Sequence, residues 1–261
     1  MTMGTVLGGG GTSGAKPLLA RAAGPSLSPL GVSPFLPDPT MALVSTSVSP
    51  AVTVAANNDW SGTAALSAAF TSVGAFAYIA PTSRDAAIFQ PALAPGNYTV
   101  QVSDAGAGTG TVIAELYDAT PNGTFTNATP RLINVSVLKA IATGTSLTAG
   151  FYVGGTTSKT VLIRAVGPTL GLAPFNIDGA MADPQLTLFN GNQVVIAANN
   201  DWGGSQQIVN TANRIGAFAV ANGASRDAML LITLEPGSYT AQVSGVGNTT
   251  GVAIVEVYEL P

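Results

Sequence analysis

Apolar and polar residues alternate along several short stretches of this chain. Between residues 97 and 103, Tyr98, Val100 and Val102 alternate with asparagine, threonine, glutamine and serine, and residues 238–244 repeat the arrangement. A period of two is typical of a strand with one buried and one solvated face. Shorter apolar stretches predict four more strands in each half, at residues 17–23, 42–45, 52–56 and 111–117, and at residues 160–166, 185–189, 194–198 and 252–258.

Turn residues and one helical pattern fill the spaces between these strands. Glycine clusters at 106–110 and 245–251 predict that the strand before each cluster and the strand after it form a hairpin. Apolar residues recur at helical spacing in 63–73 and 205–215, which predicts one short helix in each half. Together these features indicate an all-β protein with two tandem jelly-roll-like or Ig-like β-sandwich domains, each with one short helix.

The two halves are copies of each other. The sequence Asn-Asn-Asp-Trp at 57–60 returns at 199–202, displaced by 142 positions, and Ser-Arg-Asp-Ala occurs twice with the same displacement. The segment 120–129 is rich in proline, glycine, asparagine and threonine and has little to bury. We therefore predict a first β-sandwich repeat over residues 1–119, a linker over 120–129 and a second repeat over 130–261.

The second copy contains a segment that the first copy lacks. Residues 130–138 alternate branched apolar side chains with asparagine and serine and predict a strand, for which the first copy has no counterpart when the two are aligned. If this strand completes the second sandwich, the first has an unpaired edge at the matching place, and exposed edges recruit strands. We interpret the segment as an assembly strand, formed by Arg131, Leu132, Ile133, Asn134, Val135, Ser136, Val137 and Leu138.

Composition excludes many functions. The chain has no cysteine and no histidine, so it offers no thiol nucleophile, zinc finger or Ser-His-Asp triad. Only 8% of the residues are charged and the formal net charge is −4, which predicts neither nucleic acid nor an acidic membrane surface as a partner. No apolar run reaches the length of a membrane span. The N-terminus lacks the pattern of a signal peptide, but the weakly charged surface is typical of an extracellular or polymeric protein and favours self-association.

The order of motifs resembles a known family. In the second copy, Asp-Pro-x-Leu-x-Leu is followed by Asn-Asn-Asp-Trp, by Pro-Gly-x-Tyr-Thr-x-Gln-Val, by a glycine-rich turn and by a final Val-x-Val-Tyr strand, and the first copy follows the same order. This is similar to the accessory C-terminal β-sandwich modules of large secreted bacterial proteins, of the pre-peptidase C-terminal type. The resemblance implies a non-catalytic module for adhesion, substrate targeting or secretion, and some members of that family bind calcium.

Two kinds of residue are candidates for ligand binding. Ca²⁺ prefers carboxylate and amide oxygens, which makes Asp38, Asn58, Asp59, Asp183, Asn200 and Asp201 candidate calcium ligands. We favour no cofactor, because Asn-Asn-Asp before a helix is also typical of an Asx-turn or N-cap and no EF-hand spacing is present. The two tryptophans either stack on a sugar or close the end of each sandwich, and we favour the second interpretation.

Charged residues on apolar strands need partners when they are buried. They either hold a carboxylate ligand or pair within the protein, and we favour structural ion pairs that involve Arg21, Arg84, Asp85, Glu115, Arg164, Arg226, Asp227 and Glu256. Glu115 or Glu256 is a candidate general acid, but no second carboxylate can be assigned at the distance that glycoside hydrolysis requires. We therefore predict that the protein is not an enzyme.

These observations favour a structural role. We predict a non-enzymatic protein, extracellular or at the cell surface, that assembles head-to-tail with copies of itself as a filament, surface-layer or adhesive subunit, through addition of a strand at an open edge. The alternative is a pair of accessory modules that bind a glycan or a protein in a calcium-dependent manner.

Overall fold

A computed structural model describes residues 1–261, which form two compact units, Met1–Ile133 and Asn134–Pro261. The sequence had placed the division slightly earlier, in the linker 120–129. The dividing position falls inside a strand, and each unit is described by itself. No helix in either unit is long and apolar enough to cross a membrane.

The first unit contains two antiparallel sheets and one helix. One sheet has the strand order β4-β3-β6-β1, and the other has the order β5-β2-β7. The elements are β1 (Thr2–Gly8), β2 (Lys16–Ala23), β3 (Pro39–Ser45), β4 (Val52–Asn57), α1 (Ala64–Ser72), β5 (Ala86–Leu93), β6 (Gly96–Asp104) and β7 (Ile113–Asp118).

The second unit repeats this arrangement and adds one strand. Its sheets have the strand orders β12-β11-β14-β9 and β13-β10-β15-β8. The elements are β8 (Arg131–Ile141), β9 (Leu147–Val153), β10 (Lys159–Val166), β11 (Pro184–Asn190), β12 (Val195–Asn199), α2 (Gln206–Ile215), β13 (Ala228–Leu234), β14 (Gly237–Gly245) and β15 (Gly251–Glu259). The strand β8 has no equivalent beside β7 in the first unit.

Each unit has three layers, because the sheet that contains β2 or β10 is covered on both faces. Consecutive residues of β2 are buried from Leu18 to Ala23, a pattern expected when both faces of a strand are covered. On one face, Leu19 packs with Trp60, Phe70 and other residues of the α1 layer. Leu18 points to the opposite face, toward the four-stranded sheet. The prediction of two all-β sandwich domains with one short helix each is therefore confirmed.

Local features explain both helices. Helix α1 begins where the Thr63 hydroxyl accepts a hydrogen bond from the Leu66 N–H (3.3 Å), and α2 ends at Gly216 in the left-handed conformation with φ of 73°. The Asn-Asn-Asp sequence, interpreted as an Asx-turn or an N-cap, does not cap α1. Instead, the Asn57 side chain accepts from the Ala87 N–H (2.9 Å) and ties β4 to β5.

The predicted glycine hairpins are wrong. Strands β6 and β7 lie in different sheets, and so do β14 and β15, so each glycine-rich segment crosses between sheets. The crossing needs a close backbone approach, since a Cβ on Gly110 would lie 2.3 Å from the Phe35 carbonyl. The strands β1, β5, β9 and β13 were not predicted. Glycine, alanine or proline weakens the strand pattern of β1, β5 and β9, whereas β13 is an almost continuous apolar run without the alternation of a half-buried strand.

Candidate functional site

Arg21 lies on β2 in an aromatic cage. Its guanidinium carbon lies 4.2 Å from the ring centre of Phe70 and 4.4 Å from the ring centres of Phe76 and Tyr78. Its side chain is fully buried, and Nε lies 3.4 Å from a carboxylate oxygen of Glu115 on β7. The guanidinium is thus held within the unit by three ring contacts and one ion pair.

The second unit repeats this centre with a different cage. Arg164 Nε lies 3.1 Å from Glu256, Nη1 donates to the Phe218 carbonyl (2.7 Å), and the guanidinium lies over the Phe218 ring at 4.1 Å. Burial raises the pKa of Glu256, while the charge of Arg164 and a hydrogen bond from Tyr258 partly oppose that shift. Glu115 and Glu256 thus each have an arginine and a tyrosine as partners.

Asp85 and Asp227 do not pair with arginine, contrary to the sequence interpretation. Asp85 is fully buried and accepts four hydrogen bonds, from the backbone N–H groups of Gly24 and Ser26 and from the hydroxyls of Ser26 (2.5 Å) and Ser83 (2.7 Å). Asp227 accepts the equivalent bonds in the second unit. Since backbone N–H groups and hydroxyls satisfy each carboxylate, the neighbouring arginine points elsewhere.

Those neighbouring arginines account for part of the candidate calcium set. Arg84 Nη1 lies 2.8 Å from Asp38, and Arg226 Nη1 lies 2.7 Å from Asp183. The rest of the set is exposed, namely Asn58, Asp59, Asn200 and Asp201. No three acidic side chains come together in an arrangement that could hold a metal ion.

The two tryptophans are part of the core. Trp60 is 6% exposed, its ring stacks on Phe70 with centres 5.4 Å apart, and its Nε1 donates to the Ala80 carbonyl (3.1 Å). Trp202 is 7% exposed and packs with Leu162 and Ile208. Neither ring presents a face on which a sugar could stack.

The segment that the sequence singled out as an assembly strand lies in β8, which extends three residues further, to Ile141. From Asn134 onward it pairs antiparallel with β15, with Ser136 opposite Glu256, Val137 opposite Val255 and Val135 opposite Val257. Under this cover Val255 is fully buried and the Glu256 side chain is 5% exposed.

The equivalent strand of the first unit lacks such cover. Strand β7 pairs with β2 on one side and is the last strand of its sheet on the other. None of its six residues is buried, and the Glu115 side chain is 18% exposed. The two units therefore differ in one respect that bears on function: the first has an open strand edge where the second is closed.

The chain matches no protein-family model and no curated protein. Among solved structures, it is similar to a pre-peptidase C-terminal domain of a collagenase from Bacillus anthracis, with 16% identity over 48% of this chain and 89% of that chain and a TM-score of 0.30. It is also similar to the STIV MCP, with 12% identity over 100% of this chain and 96% of that chain and a TM-score of 0.25. A third similar structure is PBCV-1 VP54 fitted into a reconstruction of the virophage Sputnik, with 8% identity over 99% of this chain and 92% of that chain and a TM-score of 0.21. The first of these is the kind of module that the sequence motifs resemble. The coordinates themselves define the class of protein: a tandem pair of β-sandwich units, which differ in that the edge of β7 is open and the matching edge of β15 is paired with β8.

Proposed function

We propose that this protein is a non-enzymatic structural subunit of the extracellular space or cell surface, which assembles with copies of itself when a neighbour adds a strand to the β7 edge. The observation that carries the proposal is the difference between the units. The same sheet has four strands in the second unit and three in the first, and the missing strand is the one that would lie beside β7.

An open strand edge presents unpaired backbone N–H and C=O groups, which readily pair with another chain. Natural proteins protect such edges with lysine, proline or a bulge. Strand β7 has none of these: its residues are Ile113-Ala-Glu-Leu-Tyr-Asp118, and its pairing with β2 continues without a register shift. Both of its acidic side chains are neutralised within the unit, Glu115 by Arg21 and Asp118 by Lys16, so they would not repel a neighbour.

The cover on β15 indicates which strand β7 would accept. Opposite the inward-facing Val255 and Val257, β8 places valines, and opposite Glu256 it places a serine. The matching residues of β7 are Ala114, Leu116 and Glu115. A strand that alternates apolar side chains with small polar ones would therefore bury the β7 edge without leaving a charge unpaired.

A non-enzymatic role is supported by what the ionisable groups do. The buried arginines and carboxylates are held in internal ion pairs or hydrogen bonds, and the chain has no cysteine or histidine. The small number of charges also reduces repulsion between identical subunits.

The test is to close the β7 edge from within the chain. In the second unit, β8 leads into β9 through residues 142–146. A variant with a second copy of residues 130–146 placed before Met1 presents the same strand at the same distance from β1. We expect the unmodified protein to form polymers in negative-stain images and in sedimentation velocity, and the extended variant to need a markedly higher concentration to associate.

The matched control carries the same added segment with its two valines and two isoleucines replaced by serine. It should assemble like the unmodified protein, because a polar strand does not cover the edge stably. The proposal fails if the unmodified protein is a monomer at all concentrations, or if both extended variants assemble equally well.

A further inference from the structure

Strands β4 and β12 are a second pair of exposed edges, and the sequence interpretation did not recognise them. Each is the last strand of its four-stranded sheet. Most of their residues are exposed, including large apolar side chains between 40% and 55% exposed. These are Val52, Val54, Val194, Val195 and Ile196.

The two edges carry nearly the same sequence. Residues 52–57 read Val-Thr-Val-Ala-Ala-Asn, and residues 194–199 read Val-Val-Ile-Ala-Ala-Asn. The final asparagine serves the fold, because it accepts from the N–H of the neighbouring strand at 2.9 Å in the first unit and 2.8 Å in the second. That role does not explain the exposed valines and isoleucine, which contribute little to the packing of either unit.

Neither edge carries a charge. There is no charged residue between Pro39 and Asn58, nor between Pro184 and Asn200, so both edge strands and the strands beside them are uncharged. Each edge strand has one bulge, where its register against β3 or β11 shifts and leaves Val54 or Ile196 without a Cα partner. Uncharged edges rich in exposed β-branched residues are prone to pair with another chain. Within β4 and β12 no proline interrupts the backbone.

A groove beside β4 adds to this surface. It has a volume of about 320 Å³ and is lined mostly by apolar residues of β4, α1 and β5, such as Ala55, Leu66 and Phe89, together with the polar residues Asn57, Thr63 and Gln90. Side chains of a strand added to β4 would reach this groove, because alternate residues of the added strand point to the same side as its lining.

We propose that β4 and β12 form a second self-association surface, on which either edge of one copy pairs antiparallel with either edge of another. A second copy is the partner that these features fit best. The surface has no charge with which to select a charged partner, identical uncharged edges do not repel one another, and cross-strand pairs of valine and isoleucine are favourable. Because each chain carries two such edges, pairing could continue from copy to copy, independently of β7.

The experiment replaces one apolar residue on each edge with lysine. In the Val54→Lys/Ile196→Lys variant, two edges that meet bring like charges together. The control is Ser103→Lys/Ser238→Lys, which adds the same charge at exposed positions of the central strands β6 and β14. Both are compared in the unmodified chain and in the chain whose β7 edge is closed by the added residues 130–146, by sedimentation velocity over a wide range of concentration.

We expect the edge variant to raise the concentration at which half of the chains are associated by about tenfold or more, and the control to leave it near that of its parent. The effect should persist in the chain with a closed β7 edge. Amide hydrogen exchange should show protection of β4 and β12 on association. If the lysine variant unfolds, Val54→Thr/Ile196→Thr removes apolar surface without adding charge and should shift association in the same direction.

The inference is overturned if the edge variant and its control associate equally, or if closing the β7 edge leaves a monomer at every concentration. A monomer after closure of the β7 edge would overturn this inference but would still agree with the proposed function. Association that is lost in the edge variant but is unaffected by closing β7 would support this inference and refute the proposed function.

Discussion

Replacement of Asp85 by asparagine tests how the first unit is held together. The carboxylate is fully buried and accepts two bonds on each oxygen, from two backbone N–H groups and from the hydroxyls of Ser26 and Ser83. Asparagine keeps one accepting oxygen and puts an NH₂ group in place of the other. The Ser26 and Ser83 hydroxyl hydrogens therefore lose their acceptor. Their oxygens can accept from the new NH₂ group, in addition to the bond that the Ser26 oxygen accepts from the Ile79 N–H (2.9 Å), but such a contact is a neutral bond in place of a charge-assisted one.

A hydrogen bond to a charged group contributes about 1.5–3 kcal/mol. The loss of two such bonds is partly offset, because the buried site no longer holds a charge without a cationic partner. We expect Asp85→Asn to lower the free energy of unfolding of the first unit by about 2–4 kcal/mol. Trp60 is the tryptophan of this unit, so urea denaturation followed by fluorescence in a Trp202→Phe background reports on it alone.

Asp59→Asn is the matched control, because Asp59 is exposed and the change is chemically the same. It should shift the free energy of unfolding by less than about 0.5 kcal/mol. A change below about 1 kcal/mol for Asp85→Asn would refute the reasoning, since it would mean that the four bonds contribute little beyond what water supplies to the unfolded chain.

Four further outcomes follow from the same coordinates. Asp227→Asn should lower the stability of the second unit by a similar amount, measured from Trp202 fluorescence with the other tryptophan replaced, because Asp227 accepts equivalent bonds. Burial raises the pKa of Glu256, so the folded protein holds this proton more tightly than the unfolded chain does. The free energy of unfolding therefore falls as pH rises from about 4.3 through the raised value. Urea titrations at several pH values should show this fall, and the Glu256→Gln variant should lack this contribution to it. Chymotrypsin should cut first after Phe125, which is 52% exposed in the exposed segment 121–128, giving two folded fragments by mass spectrometry; Phe125→Ser should slow that cut. Removal of divalent cations with EDTA should leave the thermal midpoint unchanged, and a fall would point to a calcium site that the acidic side chains do not suggest.

Much of the fold follows from short-range pattern. The alternation in residues 97–103 and 238–244 predicted β6 and β14, because a strand with one buried face must have a period of two. The helical spacing in 63–73 and 205–215 predicted α1 and α2 to within a residue or two. Repetition of motifs at a constant displacement indicated two units without any knowledge of their structure.

The local sequence pattern did not determine which strands pair with each other. The glycine-rich segment after β6 has the composition of a hairpin turn, yet the chain crosses to the other sheet there. Strand β6 is already paired on both sides, with β1 and β3, whereas β2 offers β7 a partner. Strand β5 contains Pro91 and three alanines, and it is a strand only because β2 supplies its partner. Such pairings depend on residues about 70 to 100 positions apart in the chain, beyond the reach of a local pattern.

The candidate site likewise combines features that the sequence predicts with features that only the tertiary structure shows. The sequence alone predicted that residues 130–138 form a strand, because their alternation of apolar and polar residues is a local pattern. Only the tertiary structure decided that this strand lies against β15, and that β7, β4 and β12 are edge strands. It also decided that Arg21 lies among three aromatic rings and that Asp85 is held by hydroxyls rather than by an arginine. The physical reason is that an edge, a cage or a buried hydrogen-bond network belongs to segments that meet only when the chain is folded, whereas periodicity belongs to each segment alone.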